Sequence, residues 1–407
     1  MLFSAAAGSA GYRVSFVVTI AHPMSGFFQH PFWSVGFRPF FMLAALSGAI
    51  LPLLWGLVFS GRLSSPAGLS AIQWHAHEMF YGFGWAVLGG FLLTATRNWV
   101  KIQGYHGPAL LLLVVAWGIE RMTIQFGGLL PEPVFWIGAN LFLAAIVVML
   151  LFSLLRYRHQ DSFDDNYFFL IILPVFLLAK NLILLPAHFE AGVGMTLALF
   201  RVAFLVMLER TLSGFMQSAF GVAIYRDRRL DLPIKGTAVL LVAAPWMPPM
   251  IAASLSLLLA VALVFRLMLW KPLLAVTRID IGIMYYGYLG IVLQLLAVFF
   301  AQAAGLAWVG SMTVHLFTFG VMALIIPAMM IRISKGHTGR PVVFDALDRL
   351  VLYLMMAGFA LRIVVPQGLP AQYRLWIVLA ALCWFAGFGL LAWRYVRFYF
   401  QPRVDGR

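Results

Sequence analysis

Three histidines stand where imidazole is expensive. His75 and His77 fall in Trp74-His75-Ala76-His77-Glu78-Met79, at the start of a long apolar run, and His315 lies inside another, in Val314-His315-Leu316. An ionisable group near the centre of a bilayer costs at least about 2.5–3.5 kcal/mol on insertion scales, so each such residue marks either a buried partner or a site. Neutral imidazole suits haem iron and copper, and thioether sulfur favours Cu(I). Around His315, the residues Met312, His315, Phe319, Met322, Ile326 and Met329 recur at three- and four-residue steps, the spacing of one helical face. That stripe has the softness of a Cu(I) site, although methionine also fills gaps in apolar cores. The histidines are read as metal or cofactor ligands, against the plainer alternative of hydrogen bonds between helices.

Helical phase constrains the three. Residues two apart differ by about 200° around an α-helix, so His75 and His77 point to nearly opposite sides. That suits two separate centres, or one ligand and one structural hydrogen-bonder, better than a single chelate. His75 shares its stripe with Met79, Gly82, Ala86 and Gly90, and His77 shares its own with Tyr81, Gly84 and Leu88. With Ser70 as N-cap, His77 lies about 9–10 Å along its helix from the outer face, and His315 roughly 15 Å along its own from the same face. The expected ligands are therefore His77 and His315, meeting in the outer half of the membrane, with His75 next. Glu78 is expected to relay protons or to orient a histidine from behind.

Charges inside apolar runs form a second group: Glu120, Arg121, Lys180, Arg201, Glu209, Arg210, Asp345, Asp348 and Arg349. One reading pairs opposite charges across helices and lets Lys180 snorkel to the interface. The functional alternative is a proton path or an anion-binding cavity, with Arg201 the most telling because it lies farthest from either end of its run. The segment Arg332-Ile333-Ser334-Lys335-Gly336-His337-Thr338-Gly339-Arg340 reads as a basic loop. It could also grip a phosphate or propionate through Lys335, His337 and Arg340. As a metal ligand His337 ranks below the membrane histidines, because it is expected in a water-facing turn. His22, His30, His106, His159 and His188 are read as solvated.

The elements that must position these residues follow from composition. Of 407 residues, 63% are hydrophobic and 10% charged, against roughly 45–50% and 25% in soluble domains, so the bilayer must be part of the solvent. A helix crossing about 30 Å of hydrocarbon needs roughly 20 apolar residues. Twelve such stretches are marked by polar or Pro/Gly breaks, at 38–60, 71–96, 108–127, 133–155, 166–186, 191–221, 236–249, 251–270, 279–302, 305–331, 343–365 and 373–396. The seventh is short and holds Pro245, Pro248 and Pro249, so it is either a broken helix or merges with the eighth to leave eleven. Nineteen Lys and Arg fall in the tails and alternate loops of one side, against Arg62, Arg362 and Arg374 on the other. By the positive-inside rule both termini are cytoplasmic and the span count is even. The fold expected is an all-α, polytopic membrane bundle: a cytoplasmic tail at 1–37, one twelve-helix domain at 38–396 and a second tail at 397–407. Met1–Ala21 lacks a basic start and is interrupted by Arg13, which favours a tail over a cleaved signal. The net charge of +14 is accounted for by topology, and nucleic acid is excluded as a partner; the bilayer is the partner expected. Cys383 is the only cysteine, which excludes a disulfide framework, a thiolate zinc site and covalent haem attachment.

Four segments together resemble the NnrS family of bacterial inner-membrane proteins. They are Gly36-Phe37-Arg38-Pro39-Phe40-Phe41, then Trp74-His75-Ala76-His77-Glu78-Met79 with Gly82, then Gly90-Phe91-Leu92-Leu93-Thr94-Ala95 with Asn98-Trp99, and Gly336-His337-Thr338-Gly339-Arg340. The resemblance implies a twelve-helix protein carrying haem and copper and linked to the nitric oxide response and denitrification. With no covalent attachment motif the haem would be a non-covalent b-type, and copper an optional second metal. No motif specifies a reaction. The implied partner is nitric oxide or a related small molecule, with Met79, Met312, Met322 and Arg201 as candidate supporting residues around the centre. Two alternatives remain open: a secondary transporter that uses buried His, Arg and Lys, and a haem-binding assembly or repair factor for respiratory enzymes.

Overall fold

A computed structural model describes residues 26–406; Met1–Ala21, Arg13 and His22 lie outside the described residues. The described chain is helical throughout, with no strand. Eleven helices are long and apolar enough to cross a membrane, and we number the crossings α1 (Phe37–Phe59), α2 (Ala71–Trp99), α3 (Pro108–Gln125), α4 (Glu132–Arg156), α5 (Asp164–Leu184), α6 (Pro186–Phe220), α8 (Pro249–Leu269), α9 (Ile279–Ala303), α10 (Met312–Gly336), α11 (Ala346–Gly368) and α12 (Pro370–Tyr399). Between α6 and α8 lies the segment α7, an α-helix over Arg228–Leu240 that tightens into a 3-10 helix over Leu241–Trp246.

Two observations make α7 a crossing. Phe37, opening α1, has its ring 5.9 Å from that of Tyr399, closing α12, and Arg38 donates to the Tyr399 and Gln401 carbonyls. The first helix therefore begins where the last one ends, which requires an even number of traverses. Early in α7, Lys235 pairs with Asp165 at the start of α5 and with Glu209 late in α6. At its far end, Pro245 packs on Gly194 near the start of α6. Thirteen α-helical residues rise roughly 20 Å and six 3-10 residues about 12 Å, enough for a hydrocarbon core. The 3-10 turns arise at Pro245, which has no N–H to offer an α-ladder. The seventh span is thus a broken helix that does not merge with the eighth, and it begins earlier than 236.

The end that gathers Phe37, Tyr399 and His337, whose ring lies 5.5 Å from Phe37, is called here the basic end. Exposed side chains around the bundle such as Leu112, Ile137, Val148, Val261 and Phe265 face hydrocarbon. The innermost helices are α2, α6 and α10, which carry His75, His77, Arg201 and His315. Close approach needs glycine in places: a Cβ on Gly290 of α9 would sit 2.4 Å from the Gly320 carbonyl oxygen of α10.

Three helices contain wide π-helical turns, at Glu78–Gly84 in α2, Thr318–Met322 in α10 and Ala360–Val364 in α11. Such turns concentrate at functional sites and shift the phase of everything after them. The stripes expected from a regular 3.6-residue period are accordingly broken. Gly82 faces Arg121 of α3, while Gly90 faces Phe40 of α1. On α10 the later part of the stripe stays together: Met322 reaches Gly84, and Ile326 and Met329 line the apolar cavity that Gly84 also borders.

The crossing of α7 is testable by cysteine accessibility in a Cys383→Ser background. A cysteine replacing Met247 is expected to react with an impermeant maleimide from the same side as one replacing Ser64, and from the side opposite one replacing Arg228. Labelling of positions 247 and 228 from the same side would contradict the crossing.

Candidate functional site

The α2 start is set by Ser70, whose hydroxyl accepts from the Gln73 backbone N–H while the Gln73 side chain accepts from the Ser70 N–H, a reciprocal capping box. Gln73 also donates to the carbonyls of Ile183 and Leu184, at 3.1 and 3.2 Å, which ties this turn to the end of α5. From that anchored turn His75 and His77 leave on different faces, as the 200° phase requires.

His75 stacks on Trp55 of α1, with ring centres 4.1 Å apart and planes 12° from parallel. Its other neighbour is His315 of α10, at 6.5 Å and 11°. The expectation paired His315 with His77; the structure brings it to His75. α10 opens at Met312, so His315 lies in its first turn rather than roughly 15 Å along it; that shallow position and the rotation of α2 about its axis, neither given by spacing alone, set the pairing. His315 Nδ1 lies 2.9 Å from the Ser311 carbonyl oxygen and 3.0 Å from its hydroxyl. A carbonyl only accepts, so Nδ1 carries the proton and Nε2 the lone pair. Arg362 of α11 places Nη2 3.3 Å from both ring nitrogens of His315, donates to Ser311 Oγ at 3.1 Å, and donates to the Tyr373 hydroxyl at 2.9 Å through Nη1. Trp55, Ser311 and Arg362 were not anticipated. The signal for Arg362 was an arginine in the last turn of an apolar run, on the face poor in cations.

The ring-centre separation is compatible with a shared ion, since two imidazoles bonded at about 2.0–2.1 Å to opposite sides of one ion have centres roughly 6.3 Å apart; the nitrogen lone pairs lie in the ring planes, so rings stacked at 6.5 Å and 11° would have to turn edge-on to share it. Anchoring of the non-ligating nitrogen by a carbonyl is the usual outer support of a histidine ligand.

His77 belongs to a different cluster. It is fully buried, its Nδ1 is 3.2 Å from Glu78 Oε1, and its Nε2 meets no partner. Arg121 bridges Glu78 at 3.2 Å and Glu120 at 2.6 Å, and Lys180 of α5 pairs with Glu120 at 2.6 Å. Two carboxylates and two cations thus balance in the core of α2, α3 and α5. Lys180 is fully buried and does not snorkel; its counter-ion lies inside. The site needs Gly82, because a Cβ there would fall 2.3 Å from Arg121 Nη1. The Gly82 carbonyl, in the wide turn of α2, accepts from the Trp117 indole at 3.0 Å.

The other anticipated residues scatter. Met79 and Met312 are half-buried and Met322 is buried. Arg201 is buried and donates to Gln294 Oε1 at 2.9 Å. Lys335 lies within α10, paired with Asp348 at 2.5 Å, rather than in a loop. Arg340 covers the Phe398 ring at 3.9 Å and donates to Gln401, and His337 is half-buried rather than water-facing. Lys335, His337 and Arg340 therefore do not converge on one point. Glu209 and Arg210 join a separate network at the basic end, in which Glu209 and Asp231 meet Arg226 and Arg266, and Asp165 meets Arg210 and Lys235. An apolar cavity of about 70 Å³ opens between α2, α6 and α10, lined by Gly84, Leu88, Phe200, Phe204, Met207 and Met329 among others.

The family model described as NnrS protein matches residues 31–403, nearly the whole chain and both histidine-bearing helices. The chain belongs to the NnrS family. No curated protein matches it. For this NnrS-family chain, membership supports the membrane fold and leaves the chemistry of the His75–His315 pair to be argued from its geometry.

The Glu120–Lys180 pair makes a stability prediction. Glu120→Gln leaves Lys180 buried without its closest counter-charge, which should lower the unfolding free energy by about 3–5 kcal/mol. The measurement is thermal unfolding of purified protein in detergent. Adding Lys180→Met should recover most of the loss, whereas a single variant as stable as the parent would show that the pair is not formed.

Proposed function

We propose that this NnrS-family protein holds a metal centre in the half of the bundle away from the basic end, with His75 and His315 as its imidazole ligands. The centre would bind nitric oxide or a related small molecule. The observation that carries the reading is the near-parallel pair of imidazoles at 6.5 Å, contributed by two of the innermost helices. Among the described residues no group of three or more His, Cys, Asp or Glu is placed to hold a metal, so the donor set is the pair itself. His75 and His315 would suit Cu(I), which leaves room for a small ligand; they would also suit a b-type haem, from which one imidazole would have to withdraw before nitric oxide could bind. Bound there, such a metal would supply an electron-rich centre able to take nitric oxide.

The chain's own residues prepare the place. The Ser311 carbonyl fixes the His315 tautomer so that Nε2 carries the lone pair; in the structure that lone pair faces Arg362 Nη2 at 3.3 Å, and a metal ion there would require the guanidinium to swing away. Trp55 backs His75 and limits its rotation. Arg362 sets a fixed positive charge beside His315, which favours electron density or negative charge arriving at the centre. The apolar cavity between α2, α6 and α10 has the lining for a small neutral molecule dissolved in the bilayer and offers nothing to an ion. His77, with Nε2 unpartnered, is the candidate ligand of a second centre, held in orientation by Glu78. We place the protein in the bacterial inner membrane with its basic end in the cytoplasm, acting in nitric oxide stress and denitrification.

The test is the visible spectrum of purified protein, oxidised and then reduced, with and without nitric oxide. The wild type is expected to show a Soret band that shifts with nitric oxide, lost in His75→Ala and in His315→Ala and retained in His77→Ala. A colourless wild type from haem-replete cells would remove the haem reading. A band that survives in both the His75 and His315 variants would remove this pair as ligands.

A further inference from the structure

Cations within the crossings mostly find carboxylates. Arg121 and Lys180 meet Glu78 and Glu120; Arg266 meets Glu209 and Asp231; Arg332 meets Asp280; Lys335 meets Asp348. Arg362, near the end of α11, uses Tyr373, Ser311 and His315 in their place. Arg201 stands apart. It lies near the middle of α6 at 5% exposure, with no carboxylate within ion-pair distance among the described residues, and one hydrogen bond, from Nη2 to Gln294 Oε1 at 2.9 Å. Its Nε is buried without an acceptor.

A guanidinium has five N–H donors and does not shed its proton in proteins. Its charge therefore persists at a depth where an unpaired charge is costly, with Nε enclosed and without an acceptor. Gln294 adds to the deficit: its oxygen is taken by Arg201, and its amide N–H groups donate to no described residue. The position is set on rigid elements, since α6 is one of the innermost helices and Gln294 lies on α9, itself locked to α10 at Gly290.

We propose that Arg201 and Gln294 form a binding site for a small planar oxyanion of the carboxylate type within the membrane-spanning core. A planar anion with two oxygens matches the parallel N–H pair of a guanidinium, in a bidentate arrangement stronger than neutral hydrogen bonds, and the Gln294 amide supplies a further donor. The anion is either free in solution or the carboxylate arm of a larger bound molecule. The site does not depend on the His75–His315 metal reading, and its readout is separate.

The experiment measures thermal unfolding of the full-length protein in lipid nanodiscs against formate and nitrate, with chloride at equal ionic strength as control, and identifies carboxylic acids that co-purify with it. A saturable rise in Tm with formate or nitrate, absent with chloride, assigns a free-anion site. No such rise, together with a carboxylate that co-purifies with the wild type and is lost from Arg201→Gln, assigns the carboxylate-arm form. In either case the exposed-cation variant Arg158→Gln should behave as the wild type, and Gln294→Leu, which keeps the arginine should Arg201→Gln fail to fold, should weaken the response about 10-fold or more. Neither an anion-specific rise nor a co-purifying carboxylate, or an unchanged response in Gln294→Leu and Arg201→Gln, overturns the proposal.

Discussion

Arg121 lying between Glu78 and Glu120, with Lys180 closing the chain, is the interaction on which the inner bundle depends. Hydrocarbon offers these four charges no alternative partner, so α2, α3 and α5 can approach only in the register that brings them together. That register rotates α2 so that His77 looks into the charge cluster and His75 looks away from it, toward α1 and α10. The wide turn at Glu78–Gly84 belongs to the same arrangement. It brings Gly82 against the guanidinium, where any side chain would collide, and turns the Gly82 carbonyl to the Trp117 indole. The position of the candidate metal ligand is thus a consequence of an ion-pair chain that does not touch it.

Charge is distributed unevenly along the bundle. Around Glu209 and around Glu120, cations and carboxylates answer one another, as a membrane interior demands. In the part that holds His315, Arg362 is met by neutral groups, and Arg201 by a single carboxamide. The ion-paired clusters are nearly neutral, while the region with the paired imidazoles carries the charge of Arg362 on neutral partners. Sites that receive electrons or anions are built in this way.

Much of the fold was legible because hydropathy reports span existence directly. The first span, expected at 38–60, is observed at Phe37–Phe59, and the sixth, expected at 191–221, has its helix at Phe189–Phe220. The tenth span opens at Met312 rather than 305, after Gly305 and Gly310 at positive φ; two other misplaced ends share one cause. The seventh span begins at Arg228 rather than 236, and the tenth continues to Gly336 rather than 331, because Asp231, Lys235, Arg332 and Lys335 looked like loop charges. Each is neutralised by a partner distant in sequence: Asp231 by Arg266, Lys235 by Glu209, Arg332 by Asp280 and Lys335 by Asp348. A window of local hydropathy cannot see a counter-ion on another helix. The candidate site was half legible. Residue type pointed to the three histidines and phase to the divergence of His75 and His77, but their pairing required the rotation of each helix and the start of α10 at Met312, which local spacing does not report.

The central claim is that His75 and His315 serve one shared centre. Iron and copper per chain, measured by elemental analysis on wild type, His75→Ala, His315→Ala and the double variant purified from metal-replete cells, tests it most directly. A shared centre predicts that each single variant loses the same equivalent of metal and that the double variant loses no more than either. Metal content that is unchanged in the singles, or losses that add in the double, would contradict the claim and assign the two imidazoles to separate roles.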